Sequence, residues 1–203
     1  LLPGSTNTRF RRERNGAKGR THEIERLVAR SLRGAVDLEQ LGPLSMTVDC
    51  EILNADGGTR CASITAGSIA LRLAIRRLIA SGRCLPAKLR PTEQQRKEGW
   101  KPPVLSKEEA HGHEMAVMPC DVAALSVGMV DGEVKVDLDY VLDSNADVDM
   151  NVVMTSAGAF VEVQGTGEEA TYTREELDSL IDNAVSGIKM LHEHQVKVLE
   201  GVN

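Results

Sequence analysis

Aromatic side chains are nearly absent: one Trp, two Tyr and two Phe among 203 residues. The core must therefore be aliphatic, and RNA binding through an aromatic stacking platform is disfavoured. Cysteine is also sparse. Cys50, Cys61, Cys84 and Cys120 form no CxxC pair and are too few for a disulfide scaffold, which points to a reducing compartment. No apolar run approaches the roughly 20 residues that span a bilayer, so no membrane segment is expected. The chain opens on Leu1-Leu2-Pro3 without the basic-then-apolar pattern of a signal peptide, and it reads as a chain entered partway. What is present is globular composition, 41% apolar and 27% charged, in a length that suits one domain.

The net charge of −6 hides a polarity along the chain. Residues 1–35 carry nine Lys/Arg against three acids, 36–120 are nearly balanced, and 121–203 carry four Lys/Arg against seventeen acids. A basic arm beside an acidic body allows one end to grip a polyanion while the other presents carboxylates. The plainer alternative is a solvated tail.

Residues 3–20 are polar, basic and glycine-containing, an arm without sustained period. Thr21 then reads as an N-cap, with Glu23 in the first turn and Ile24, Leu27, Val28 and Leu32 on one helical face as far as about Gly34. Residues 46–54 alternate apolar and polar, the pattern of a half-buried strand. A helix over about 62–81 is apolar on nearly every side and should be buried against a sheet. Four strands follow: 122–130, a turn at Asp131-Gly132, then 133–140; an acidic loop; 148–155, a turn at 156–158, then 159–164. Thr173 and Glu176 form a capping box that opens a long last helix. The order predicts an α+β fold, an antiparallel sheet covered by helices. Residues 83–120 hold Pro86, Pro91, Pro102, Pro103, many charges and the single Trp100, which reads as an inserted surface loop contributing little core. Deleting about 86–116 should then leave the fold intact.

Two stretches can carry chemistry. Asp56-Gly57-Gly58-Thr59-Arg60 lies between a strand end and a helix start, where paired glycines admit close backbone approach and the helix offers free amides to an anion. Thr59 adds a hydroxyl and Arg60 a bidentate guanidinium, making a phosphate cradle, although a bare Gly-Gly before a helix is more often only a tight turn. Second, Asp137, Asp139, Asp143, Asp147 and Asp149 place five carboxylates within thirteen residues, with Asp147 and Asp149 alternating onto one face and Asp143 within reach of it. Hard oxygens converging at a sheet edge suit magnesium; the alternative is a solvated acidic loop. Cys84, His111, His113 and Cys120 fit no structural zinc spacing and read as chance composition, and His22, His192 and His194 read as helix-surface residues. Together the basic arm, the cradle and the carboxylates point to phosphoryl transfer on a polyanion.

In order along the chain stand Leu2-Pro3 with Arg9, Arg12 and Glu13; Gly19-Arg20-Thr21 with Glu23-Ile24 and Arg26-Leu27; Arg30-Ser31-Leu32-Arg33; Ala55-Asp56-Gly57-Gly58-Thr59-Arg60; Ser126-Val127-Gly128; Asp137-Leu138-Asp139-Tyr140; Asp143-Ser144; Val148-Asp149-Met150-Asn151-Val152; and Gln164-Gly165-Thr166. With these strings the chain resembles the ribonuclease PH family, phosphate-dependent 3′-exoribonucleases that trim transfer RNA precursors. The resemblance spans essentially everything outside 83–120. It implies the ribonuclease PH-type, ribosomal protein S5 domain 2-like fold. It implies that Arg20, Gly58, Thr59 and Arg60 bind inorganic phosphate as co-substrate, that Asp143 and Asp149 are the catalytic and magnesium-binding pair, and that Arg9 and Arg12 contact RNA. It further implies tRNA 3′ ends as substrate, a homo-hexamer built as a trimer of dimers, and a cytoplasmic or organellar location. Departures from the family pattern are Gly4 in place of an Arg, Cys61 in place of a Thr, the order Ala66-Gly67, the long 83–120 segment, and the family's first strands, which lie outside this sequence. Gly4 and those strands keep open a catalytically silent RNA-binding or structural subunit of an exosome-like ring. A hydrolytic nuclease is disfavoured, having no need of a phosphate cradle.

Overall fold

The computed structural model describes residues 1–6, 8, 19–167 and 170–202. In chain order these form α1 (Gly19–Arg33), α2 (Leu38–Leu41), α3 (Thr59–Ala80), α4 (Glu93–Lys97), α5 (Lys107–Val117), β1 (Val122–Val130), β2 (Glu133–Val136), α6 (Tyr140–Ser144), β3 (Val148–Thr155), β4 (Phe160–Gly167) and α7 (Arg174–Gly201). The strands make one antiparallel sheet in the order β2-β1-β3-β4. None of the helices among the described residues is long and apolar enough to cross a membrane.

Period-2 alternation assigns the two faces of the sheet to different partners. Ala123, Leu125, Val127 and Met129 of β1, with Val148, Met150, Val152 and Met154 of β3, pack against Leu180, Ala184 and Ile188 of α7. The opposite face, with Ala124 and Val153, packs against Ile64, Leu71 and Ile75 of α3, which α1 covers in turn through Leu27 and Leu32. The β1–β2 turn carries Asp131 and Gly132 at φ 51° and 75°, the left-handed pair that a two-residue hairpin of this twist demands. Thr173 caps α7 through the amide of Glu176, whose carboxylate returns to the Thr173 amide.

Three expectations are corrected. The 46–54 segment is extended, and its side chains alternate as the pattern requires: Met46, Val48 and Cys50 rest on the α3 core while Thr47, Asp49 and Glu51 face out. It nonetheless forms no ladder, since no neighbouring strand among the described residues bonds to its backbone; Leu2 and Ser5 meet only its far end at Ile52 and Ala55. The strand expected over 133–140 ends at Val136, and the acidic loop contains the short helix α6, N-capped by Asp139. Most consequentially, 83–120 is not a loop without core. Its α5 packs on α3, with Val117 and Met118 fully buried. The charges there are used internally: Glu114 pairs with Arg72 (3.0 Å) and Arg76 (3.0 Å), and Asp121 pairs with Arg72 (2.7 Å). Its charge content suggests a surface loop, whereas Glu114 is nearly fully buried against Arg72 of α3.

Candidate active site

The head of α3 is fixed by two glycines. Gly57 admits no side chain, because a Cβ there would lie 1.9 Å from the Leu138 carbonyl oxygen. Gly58 is the N-cap, at φ +64°. The first helical bond runs from the Ala62 amide to the Gly58 carbonyl, so the amides of Thr59, Arg60 and Cys61 precede the ladder and have no acceptor within it. Both helix-end orphans and the macrodipole favour an anion at this point.

The acidic segment is pinned against that turn. Leu138 is buried with Val130 and Ala146 in a small separate core, which fixes the backbone on either side of it. Asp56 accepts from the Tyr140 amide at 2.6 Å, tying the start of α6 to the turn, and Asp143 follows half-buried on α6. Across the β1–β3 ladder Ser126 opposes Asn151 and Gly128 opposes Asp149, all on the face beneath α3. Cys61 of α3 donates to Asn151 Oδ1 (3.1 Å). Burial, and then the carboxylates of Asp149 and Asp137, push the Cys61 thiol up to about 12, with Arg60 opposing them. The charges of Asp149, Asp137 and Arg60 thus all act on the first turn of α3. Cys61 itself is an inert thiol there.

Arg60 grips Glu23 of α1 in a fork, through Nε at 3.3 Å to both carboxylate oxygens and Nη2 at 3.0 Å to Oε2. The pair is partly exposed. Glu23 therefore does not serve the α1 dipole as its position suggested; α1 starts at Gly19, and the carboxylate reaches the cradle instead. Arg20 stands exposed on the first turn of α1, one turn before Glu23. Beside them α1 and β4 enclose a cleft of about 300 Å³ lined by His22, Glu23, Arg26, Arg30, Glu162 and Gln164.

The structure thus brings Gly58, Thr59 and Arg60 together with the strand carrying Asp149 and the helix carrying Asp143. Asp147 lies just ahead of β3 and is exposed. Arg9 and Arg12 lie outside the described residues. Two neighbours carry no site role in the sequence reading, Glu23 and Ser126, whereas Asp137 belongs to the acidic stretch already named. Of these two, Glu23 leaves a signal, as an acid one helical turn from Arg20. Away from this site, Cys84 and His113 meet at 3.6 Å inside the core, where burial holds the imidazole toward its neutral form and raises the thiol. Among the described residues no three His, Cys, Asp or Glu side chains are placed to hold a metal ion.

A helix head with free amides and a guanidinium, set over carboxylates on an α+β sheet, has the parts that phosphoryl transfer requires. Residues 1–76 match the model of the 3′ exoribonuclease family, domain 1, and residues 121–187 that of domain 2. The chain is 49% identical over 196 residues to the ribonuclease PH of Rhodopirellula baltica, covering 96% of this chain and 70% of that protein. It is 45% identical over 201 residues to the ribonuclease PH of Saccharopolyspora erythraea, covering 98% and 69%. Among solved structures it is similar to rice Rrp46 (TM-score 0.57, 13% identity, 92% of this chain and 68% of that one). It is also similar to an Archaeoglobus fulgidus exosome chain solved with RNA bound to the active site (TM-score 0.53, 17% identity, 90% and 64%). These two share the fold. The chain belongs to the ribonuclease PH family and is a phosphorolytic 3′→5′ exoribonuclease with inorganic phosphate as co-substrate.

Proposed function

We propose that the attacking phosphate sits at the head of α3, held by the Gly58–Arg60 backbone, the Thr59 hydroxyl and the guanidinium groups of Arg60 and Arg20. The observation that supports this most is the Arg60–Glu23 fork, in which a half-exposed arginine already holds an anionic group at the helix head. Phosphate replaces that carboxylate and gains the α3 amides besides. One of its oxygens attacks the phosphorus of the last phosphodiester, the bond to the 3′ oxygen of the penultimate nucleotide breaks, and a nucleoside diphosphate leaves.

Asp143 and Asp149 are the catalytic pair and hold magnesium. Their chemistry fits that ion: hard, half-exposed carboxylate oxygens, with no third protein ligand converging among the described residues, suit a cation that keeps waters and substrate phosphates. Bound there, magnesium offsets the charge that develops at the attacked phosphorus. The acidic side chains also favour a substrate end that arrives with its cation over one that arrives bare.

Arg9 and Arg12 contact the RNA backbone in this reading, tRNA 3′ ends are the substrate, and the chain assembles as a hexamer, a trimer of dimers, in the cytoplasm or an organelle. The basic arm supports the first of these. A labelled RNA incubated with and without phosphate, its products separated by chromatography, tests the assignment together with chelation. Shortening should need both phosphate and a divalent cation, and Arg9→Ala should weaken RNA with a reduced salt dependence. Turnover unaffected by chelator would remove the ion from Asp143 and Asp149.

A further inference from the structure

Ser126 of β1 is 3% exposed, and its Oγ is fully buried without a hydrogen-bond partner. A hydroxyl in that state has lost water and gained nothing, which folded proteins rarely tolerate. Its position gives the reason. A Cβ at Gly58 would stand 3.2 Å from Ser126 Oγ, so the hydroxyl packs directly against the N-cap that carries no side chain. Gly58 makes no side-chain cap bond, and the amides of Thr59, Arg60 and Cys61 lie ahead of the helical ladder. Ser126 Oγ thus lies on the sheet side of the N-cap, against the position that a side chain at 58 would take. Its cross-strand neighbour Asn151 is already engaged by Cys61. The Asp137 carboxylate flanks the same space, 3.8 Å from that Cβ position.

Resting on the phosphate reading above, we propose that Ser126 is a further ligand of the attacking phosphate, its Oγ–H donating to an oxygen of the anion seated on the α3 amides. Glycine at 58 places no side chain between the hydroxyl and the anion. Arg60 and the helix amides supply charge and dipole from the solvent side, and Ser126 supplies a donor from beneath. The ligand-free protein carries the hydroxyl as an unpaired group, and phosphate relieves it.

This predicts opposite signs for one substitution. Ser126→Ala should leave the melting temperature without phosphate unchanged or raised, because it deletes an orphan, while weakening phosphate about tenfold, the worth of a hydrogen bond to a charged group. Thermal melts of the full chain over a titration of inorganic phosphate at constant ionic strength, alongside KM for phosphate and for RNA, read both effects. Phosphate stabilisation of the wild type that needs about tenfold more phosphate in Ser126→Ala, with the KM for RNA unmoved, supports the proposal. Equal phosphate dependence in the two proteins overturns it. So does a Ser126→Ala chain that melts several degrees lower without phosphate or fails to fold, since the hydroxyl would then be structural. If phosphate stabilises neither the wild type nor Arg60→Ala, the underlying reading of the helix head falls, and this inference with it.

Discussion

Helix α3 carries one arginine–carboxylate pair at its head and another in its second half, and the two do different work. At its head Arg60 holds Glu23 through a fork whose side chains remain 29% and 38% exposed. Three turns on, Arg72 holds Glu114, Asp121 and the Met118 carbonyl with only 5% of its side chain exposed. Chemically both are guanidinium–carboxylate pairs. Burial separates them. A partly hydrated pair contributes little to stability, so its carboxylate can be exchanged for another anion at small cost. A buried pair cannot lose one partner without leaving a desolvated charge behind. The head of the helix is thus the exchangeable end, and the pair three turns on is fixed.

The comparison can be broken most forcefully from the fixed pair. Deleting 86–116 removes Glu114 and most of α5 and uncovers the Arg72 guanidinium, so the cooperative thermal transition should be lost. A truncated chain with an unchanged transition would show that α5 is an ornament. Glu114→Ala, a gentler cut at the same place, should cost roughly 3–5 kcal/mol in urea unfolding, because Arg72 and Arg76 lose their shared carboxylate. Next in size, Asp149→Asn or Asp143→Asn should lower kcat by a factor on the order of 10², with the melting temperature nearly unchanged. Wild-type turnover in both would remove them from the site. Smallest is Glu23→Gln. Exposed pairs of this kind are worth about 1 kcal/mol or less, so stability should barely move, while the KM for phosphate should fall severalfold as Arg60 is released. A rise instead would make Glu23 an orienting partner and not a competitor.

Much of this was legible in the residues, for reasons that differ by place. The bounds of β1 and β3 follow from apolar-rich runs ended by Asp131-Gly132 and Ser156-Ala157-Gly158, and the start of α7 from the Thr173–Glu176 box, because local chemistry fixes each of them. The cradle was legible because Gly57 admits no side chain and Gly58 takes the left-handed conformation that glycine adopts most readily. Residues 46–54 show the limit of pattern. Their alternation correctly sorts the buried side chains, but a strand also needs a partner, and alternation does not say whether one is there. Residues 107–117 show another limit. Glu114 and His113 look like solvent residues until Arg72 and Cys84 are found beside them, forty-two and twenty-nine positions away. Ser126 was the least legible of all. One hydroxyl in an apolar strand carries no signal until its lack of a partner is seen.

The exchangeable end is tested most directly by steady-state kinetics of RNA shortening by the wild type and Arg60→Ala, with phosphate and RNA varied separately. Loss of a bidentate contact to the small anion alone should raise the KM for phosphate by about tenfold or more, leave the KM for RNA within about twofold, and keep nucleoside diphosphates as the product. A variant whose KM for RNA rises as much as that for phosphate, or a wild type that releases nucleoside monophosphates at the same rate without phosphate, would contradict the account.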